Sequence, residues 1–213
     1  MALFHRATVT PTKAEMIGTW IPMQPWGPDP GVGVEPVGAF RFDDPEGRVG
    51  LETHLVRAGD ALFQVPLTYR DEPMVDDAGL IGEMEHSALG TRWVYDGLRD
   101  PRYLMMLAAV AMTGQGEAIG LVELDGRWQT SPSVVRIHGG GWPLERVAVD
   151  GFAIADDVTV GAHVDTDTVL RNDRVEMVVH RRPLAGARPP VSLTATWDGL
   201  DAPVVLATLR ARR

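Results

Sequence analysis

The stretch Val49–Tyr69 constrains this chain more than any other. Val49, Leu51, Thr53 and Leu55 alternate with their neighbours, and Phe63, Val65, Leu67 and Tyr69 repeat the alternation beyond Ala58-Gly59-Asp60. A period of two belongs to extended strands with one face turned to a core. Two such runs joined by a short glycine-bearing loop make an antiparallel hairpin. A three-residue Ala58-Gly59-Asp60 loop would set the two apolar series opposite each other on one face. The other face would then gather Glu52, His54, Gln64 and Thr68, either solvated or covered by a helix or a second sheet.

The flanking segments extend this nucleus. Val37–Phe42 reads as a third strand, closed by the turn-forming run Asp43-Asp44-Pro45-Glu46-Gly47. Upstream, a helix starts either with Thr10 as cap and Pro11 at N1, or with Thr12 and Glu15 as a capping box, and it ends before Pro22. Residues 21–34 hold several prolines and glycines beside Trp20 and Trp26 and read as a wrapped loop. Asp100-Pro101 starts a second helix that Gly114 stops. Its segment Leu104–Met112 is apolar on nearly every face, which predicts burial and makes its methionines core filler.

From Glu117 onward the chain breaks into short β-type runs at 119–124, 134–138, 146–154, 159–164, 175–180, 191–197 and 204–209. Asp125-Gly126 and Asp198-Gly199 suit tight hairpin turns, and the spacing predicts an antiparallel sheet or partial barrel. Gly139-Gly140-Gly141 is either a flexible joint or a turn between strands. The resulting fold class is α+β, predominantly antiparallel β with two or three helices. It divides into residues 1–116 and a β-rich region 117–213, packed together as one unit.

Charge and composition remove several functions. A net charge of -9 with a pI near 5.1 is the wrong sign for a nucleic-acid partner, which needs clustered Lys and Arg to displace counterions. The absence of cysteine rules out disulfides, thiolate metal sites and a cysteine nucleophile, and fits a reducing compartment. The N-terminal residues lack the pattern of a signal peptide. The longest apolar run, Tyr103–Met112, is about half of the ~20 residues that cross a membrane. A cytoplasmic protein without a membrane partner is the expectation.

Within Gln64–Tyr103, the segments QVPLTYRDEP, LIGEMEHSALG and WVYDGLRDPRY stand in an order that resembles the N-terminal cap of actinobacterial maltokinases. The resemblance covers roughly residues 35–115 and includes the strand pair, Ile81-Gly82, Val94-Tyr95-Asp96 and Asp100-Pro101. It implies a small curved, cystatin-like sheet with a helix in the first half, without the kinase body that carries the phosphoryl-transfer residues. It also implies a place near maltose, trehalose or α-glucan metabolism, as a non-catalytic protein that binds a sugar or a partner enzyme. None of the kinase's catalytic residues falls in the matching segments.

A phosphotransferase would need a histidine-aspartate loop and a metal-binding aspartate on a lobe-sized scaffold. The look-alike His163-Val164-Asp165-Thr166-Asp167 with Asn172 falls in a strand-turn-strand pattern with no Gly-rich nucleotide loop before it. Gly31-Val32-Gly33-Val34-Glu35 lacks the βα context of a dinucleotide site. Proteins similar to this one also carry a glucan-branching label, but an α-amylase-type barrel needs about 250 residues and a βα repeat.

Three sets of residues are candidates for chemistry. Glu83 and Glu85 alternate around Met84, so a strand presents both carboxylates on one face beside His86. They could do acid-base work, or bind a divalent metal with His54 or His138. The bland alternative is a solvated strand face with an edge histidine. Arg92, Trp93, Tyr95 and Asp96 could form an aromatic groove with a polar rim for a sugar, or could pack in the core with Arg92 paired to an acid. Glu52 and His54 form the third set. No cofactor or resident metal is expected. The rival functions are a small sugar-active hydrolase or transferase using Glu83, Glu85 and His86, and a structural homo-oligomer joined through exposed strand edges.

Overall fold

A computed structural model describes residues 2–4, 7–124, 127–141, 159–164, 166–172, 175–186 and 191–212. Its first strands are β1 (Ala2–Phe4), β2 (Val9–Thr10), β3 (Val34–Phe42), β4 (Gly50–Ala58), β5 (Ala61–Arg70), β6 (Leu80–His86) and β7 (Gly90–Asp96). The later ones are β8 (Gly120–Leu124), β9 (Arg127–Ser131), β10 (Arg136–Gly139), β11 (Thr159–Val164), β12 (Asp167–Arg171), β13 (Val175–Ala185), β14 (Ser192–Thr196) and β15 (Val204–Ala211). The α-helices are α1 (Lys13–Trp20) and α2 (Pro101–Thr113).

The strands form a six-stranded sheet in the order β2-β6-β7-β5-β4-β3, a second six-stranded sheet ordered β10-β14-β15-β13-β12-β11, and a three-stranded sheet β1-β8-β9. Pairing is antiparallel except between β1 and β8. The fold is α+β and mostly antiparallel β. No helix among the described residues is long and apolar enough to cross a membrane.

The central hairpin departs from expectation by one residue. Ala58 pairs with Ala61, so the loop is Gly59-Asp60, with Gly59 at φ 57°. A two-residue hairpin loop favours a positive φ at its first central position. The change of one residue exchanges the partners: Leu51 lies opposite Thr68, Leu55 opposite Gln64, Glu52 opposite Leu67 and His54 opposite Val65. Glu52 and His54 therefore share a face with Val56, Phe63, Val65, Leu67 and Tyr69. Gln64 and Thr68 lie on the other face with Leu51, Thr53 and Leu55. The predicted grouping of Glu52, His54, Gln64 and Thr68 does not occur, because a shift of one residue moves a whole strand's side chains to the opposite face.

Both faces are covered, which explains why the alternation in β4 and β5 is imperfect. On the first face α1 and the following loop bring Met16, Ile17, Trp20, Ile21 and Trp26 against Val56, Phe63, Val65, Leu67, Met84 and Val94. At eight residues α1 is too short to persist alone. Its start is fixed by the Thr12–Glu15 capping box, in which Glu15 Oε2 accepts the Thr12 N–H at 2.7 Å and Thr12 Oγ1 accepts the Glu15 N–H at 3.2 Å. The Thr12 backbone N–H holds the Glu15 carboxyl below its usual range.

On the second face, Phe40, Phe42, Leu51 and Leu55 share an apolar cluster with α2 and with residues of the second sheet such as Met177, Val179, Leu193 and Leu206. Helix α2 begins and ends as its capping residues dictate. Asp100 Oδ1 accepts the Arg102 N–H at 3.0 Å, and Gly114 closes the helix at φ 74°. The same carboxylate receives a two-pronged bond from Arg70, with Nε and Nη2 each at 2.7 Å. One apolar cluster thus draws on residues before and after position 116.

The triple glycine is neither a flexible joint nor a simple turn. Gly139 ends β10 directly beneath α2, where a Cβ would meet the Val110 carbonyl oxygen at 1.8 Å. Backbone bonds tie this segment down: Gly139 N–H to Gln115 O at 3.0 Å, Gly140 N–H to Ser192 O at 2.7 Å and Gly141 N–H to Ala111 O at 3.0 Å. Other adjustments are smaller. The Asp198-Gly199 turn is closed by Leu200 N–H on Trp197 O at 3.2 Å inside a longer β14–β15 connection. The Asp125-Gly126 turn and the run 146–154 lie outside the described residues.

Candidate functional site

Two polar assemblies stand out against the apolar faces of the first sheet. The first lies on the α1 face, where β3 and β4 place Arg41 opposite Glu52 and the hairpin places Glu52 near Tyr69. Glu52 is 7% exposed. Its Oε2 accepts hydrogen bonds from Lys13 Nζ and, at 2.9 Å, from Tyr69 OH, and lies 3.2 Å from His54 Nε2. Its Oε1 accepts from Arg41 Nε at 3.2 Å. Lys13 also sits over the Tyr69 ring, 4.9 Å from its centroid.

The charges in this assembly act on one another. Burial alone pushes the Glu52 carboxyl up, but His54, Lys13 and Arg41 outweigh it and hold the group well below the usual carboxylate range. Burial pushes the Lys13 amine down, and Glu52 offsets part of that effect. Burial, then the Glu52 charge, raises the Tyr69 phenol well above its ordinary value. The arrangement is a satisfied ionic knot that fastens α1 to the sheet.

The second assembly lies at the end of β7. Asp96 caps the 3₁₀ turn Gly97–Arg99, its Oδ1 accepting the Leu98 N–H at 3.2 Å, while its own N–H donates to Gly79 O at 2.8 Å. Its Oδ2 pairs with Arg181 Nη2, which reaches over from β13. Arg181 is 1% exposed and lies 4.4 Å from the Trp26 ring centroid, with Nε donating to Thr168 Oγ1 at 3.1 Å. Its Nη1 is buried with no hydrogen-bond partner. A cavity of ≈ 320 Å³ opens beside this pair, walled by Trp20 and Gln24, by the backbone approach Gly79-Leu80, and by Asp96, Thr168 and Arg181.

The other sequence-predicted residues are dispersed. Glu83 and Glu85 are exposed on one side of β6, while Met84 points into the core. Glu85 Oε1 accepts the Thr91 hydroxyl at 2.7 Å. His86 Nδ1 accepts the N–H groups of Ala88 and Leu89, each at 3.2 Å, and so closes the β6–β7 turn. Arg92 Nη2 donates to Leu89 O at 2.8 Å. Alternation along β7 puts Arg92 and Asp96 on one face and Trp93 and Tyr95 on the other, so the four do not line a common groove. The buried Tyr95 hydroxyl accepts the Met74 N–H at 2.9 Å.

Among the described residues, no group of three or more His, Asp or Glu is placed to hold a metal ion. His163 and Asp167 fall on the antiparallel pair β11 and β12, Asn172 Oδ1 accepts the Val175 N–H at 2.7 Å, and Asp165 lies outside the described residues.

Lys13, Arg41, Tyr69, Thr168 and Arg181 belong to the two assemblies but were not singled out from the sequence. Arg181 carried a signal: Val175, Met177 and Val179 run inward at every second position of β13, and Arg181 continues the series as a buried cation that needs a partner.

Residues 20–100 match the maltokinase N-terminal cap domain. The match bears out the resemblance carried by the QVPLTYRDEP, LIGEMEHSALG and WVYDGLRDPRY segments, and it stops at Asp100, where α2 begins. No curated protein and no solved structure matches the chain. Trp20, Gln24, Gly79, Leu80 and Asp96 lie inside the matched segment, whereas Thr168 and Arg181 come from the second sheet.

Proposed function

We propose that this protein is a non-catalytic, cytoplasmic binding protein of maltose, trehalose or α-glucan metabolism, and that it takes a sugar in the cavity beside Asp96 and Arg181. The association with that metabolism is supported by the maltokinase cap match. The cap-like, cystatin-like arrangement of the first half belongs to the same reading and is supported by α1 lying across one face of the first sheet.

The observation that carries the sugar reading is the cavity itself. It is walled by a carboxylate, a guanidinium, a hydroxyl and an amide, with Trp20 as an apolar wall. Convergent donors and acceptors of this kind suit a polyol. The non-catalytic role is supported by the state of the carboxylate, since one Asp96 oxygen is engaged by Leu98 and the other by Arg181. A group so tied orients a ligand rather than exchanging protons with it.

Thermal melts with maltose, trehalose and linear α-glucan oligosaccharides test the proposal. A ligand at about 100 times its Kd adds roughly 2.7 kcal/mol of stability, which for a chain of this size raises Tm by about 5–10 °C. Gln24→Ala at the cavity wall and Asp96→Asn within it should reduce the shift. The absence of a shift with every sugar at tens-of-millimolar concentration, or a shift untouched by both substitutions, would refute the reading.

A further inference from the structure

We infer that Gln64 is the positioning residue of the Asp96–Arg181 cavity: it holds a bulge of β13 in the shape that carries the Arg181 guanidinium across to Asp96. The inference rests on the sugar-binding reading above for what the cavity takes, and adds a residue outside the cavity that sets one of its walls. Its first support is a break in the second sheet. Between β13 and β15 the pairing is regular as far as Val179 opposite Ala207 and resumes at Leu184 opposite Val205, so His180, Arg181, Arg182 and Pro183 stand against Leu206 alone. A bulge of this kind bends its strand and re-aims a side chain, and it tolerates a proline, which has no N–H to give the ladder. On its other side β13 stays in register with β12 as far as His180 opposite Asp167, and the Arg181 N–H donates to Thr166 O at 3.1 Å. The bulge thus contains the one residue of β13 whose side chain leaves the second sheet to pair with Asp96 of the first.

The second support is the grip of β5 on the residues that flank Arg181. Gln64 Nε2 donates to His180 O at 2.7 Å and to Leu206 O at 2.6 Å. One acceptor immediately precedes Arg181 and the other belongs to the residue opposite the bulge, and the amide nitrogen has two N–H groups, one for each. The next residue along β13 is held by the neighbour of Gln64, since the Arg182 guanidinium carbon lies 4.9 Å from the Phe63 ring centroid. Between these two holds, Arg181 reaches the Trp26 ring, Thr168 Oγ1 and Asp96. Gln64 is 2% exposed. An apolar side chain there would leave both buried carbonyls without these donors, and the bulge would have to shift to find others, moving Arg181 with it.

Heteronuclear NMR of the Arg181 Nε–H in the full chain, assigned through the Arg181 spin system, tests the positioning, and calorimetric titration with maltose tests its consequence. In the wild type this N–H should exchange slowly with solvent, because it donates to Thr168 Oγ1 from a side chain that is 1% exposed. Gln64→Met should displace the signal, speed its exchange by about 10-fold or more and weaken maltose by about 10-fold or more. Gln64→Asn keeps the amide but draws it back by one methylene; it should act in the same direction to a lesser degree, and it serves where Gln64→Met does not fold. Leu104→Ala, a core truncation on α2, is the control for lost stability and should leave the signal in place. A signal that stays put in the Gln64 variants, or moves as far in Leu104→Ala, overturns the inference whether or not a sugar binds. An unchanged maltose Kd in a Gln64 variant whose signal has moved also overturns it, because Arg181 would then not wall the bound sugar. If maltose does not bind the wild type, that failure falls on the sugar-binding reading, and the NMR comparison alone decides the role of Gln64.

Discussion

Replacing Gly139 with alanine tests a close approach of backbone to backbone, where α2 meets the second sheet. An added Cβ would stand 1.8 Å from the Val110 carbonyl oxygen, 2.8 Å from its carbon and 3.1 Å from the Ala111 Cα. These are backbone atoms, so no side-chain rotation relieves the clash, and the helix must retreat by roughly 1 Å or more to restore ordinary contact. Retreat also pulls on the Gly139 and Gly141 N–H bonds to Gln115 and Ala111. It opens the packing of Val110 and Ala111, which are 2% and 0% exposed. Overpacking of a core costs about 1–3 kcal/mol, and each of the two strained backbone bonds adds about 1 kcal/mol, giving an expected loss of about 3–5 kcal/mol. In a protein of this size that lowers Tm by roughly 6–20 °C. Urea unfolding followed by far-ultraviolet circular dichroism measures it directly. Gly18→Ala is the control, because a Cβ there meets nothing within 4 Å and the site is inside α1; it should stabilise by about 0.5–1 kcal/mol. A change in stability of less than about 0.5 kcal/mol in Gly139→Ala would show that α2 does not approach Gly139 this closely.

Three further outcomes follow from the same packing. Glu52→Gln should cost about 1–3 kcal/mol at neutral pH, toward the lower end because Lys13 and Arg41 each remain about a quarter open to water. The folded Glu52 carboxyl lies below its unfolded value, so the wild-type advantage should be complete above the unfolded carboxylate range and disappear as pH falls through the folded one; a wild-type–variant difference in urea midpoint that stays constant from pH 7 to about pH 3 would contradict it. Glu85→Gln, at an exposed strand position, should leave stability within about 0.5 kcal/mol, and a larger loss in a thermal melt would show that the side chain carries more than its bond to Thr91. A chain ending at Gly114 should be molten or insoluble, since it strips α2 of the second-sheet residues in its cluster, and a sharp cooperative melt of that fragment would show instead that the first half folds independently.

What the sequence disclosed and what it hid divide along the range of the interactions. The Thr12–Glu15 box and the Asp100, Pro101 and Gly114 signals of α2 were legible because each satisfies backbone groups within a turn of itself. The hairpin was legible as a hairpin, but its parity was not. Ala58-Gly59-Asp60 permits a two- or a three-residue loop, and only the covering elements decide between them. From that single step follows the misplacement of Glu52 and His54 relative to Gln64 and Thr68. The triple glycine was ambiguous for the same reason, since its need for small residues comes from a helix that is distant in the chain.

The buried polar residues of the first sheet give this division a physical meaning. Glu52, Gln64 and Asp96 each sit on a covered face, where an unpaired polar group costs about 1–3 kcal/mol or more. Glu52 and Gln64 find partners on the elements that cover their faces, whereas Asp96, on the α1 face, takes its partner from the second sheet. Glu52 takes Lys13 from α1; Gln64 donates to His180 O at 2.7 Å and to Leu206 O at 2.6 Å in the second sheet; Asp96 takes Arg181 from β13. An apolar face would accept a helix or a sheet in many registers, whereas these three groups are satisfied in one. They therefore select how the layers dock, and because Arg181 must reach Asp96 to complete the last of them, the same docking builds the wall of the cavity.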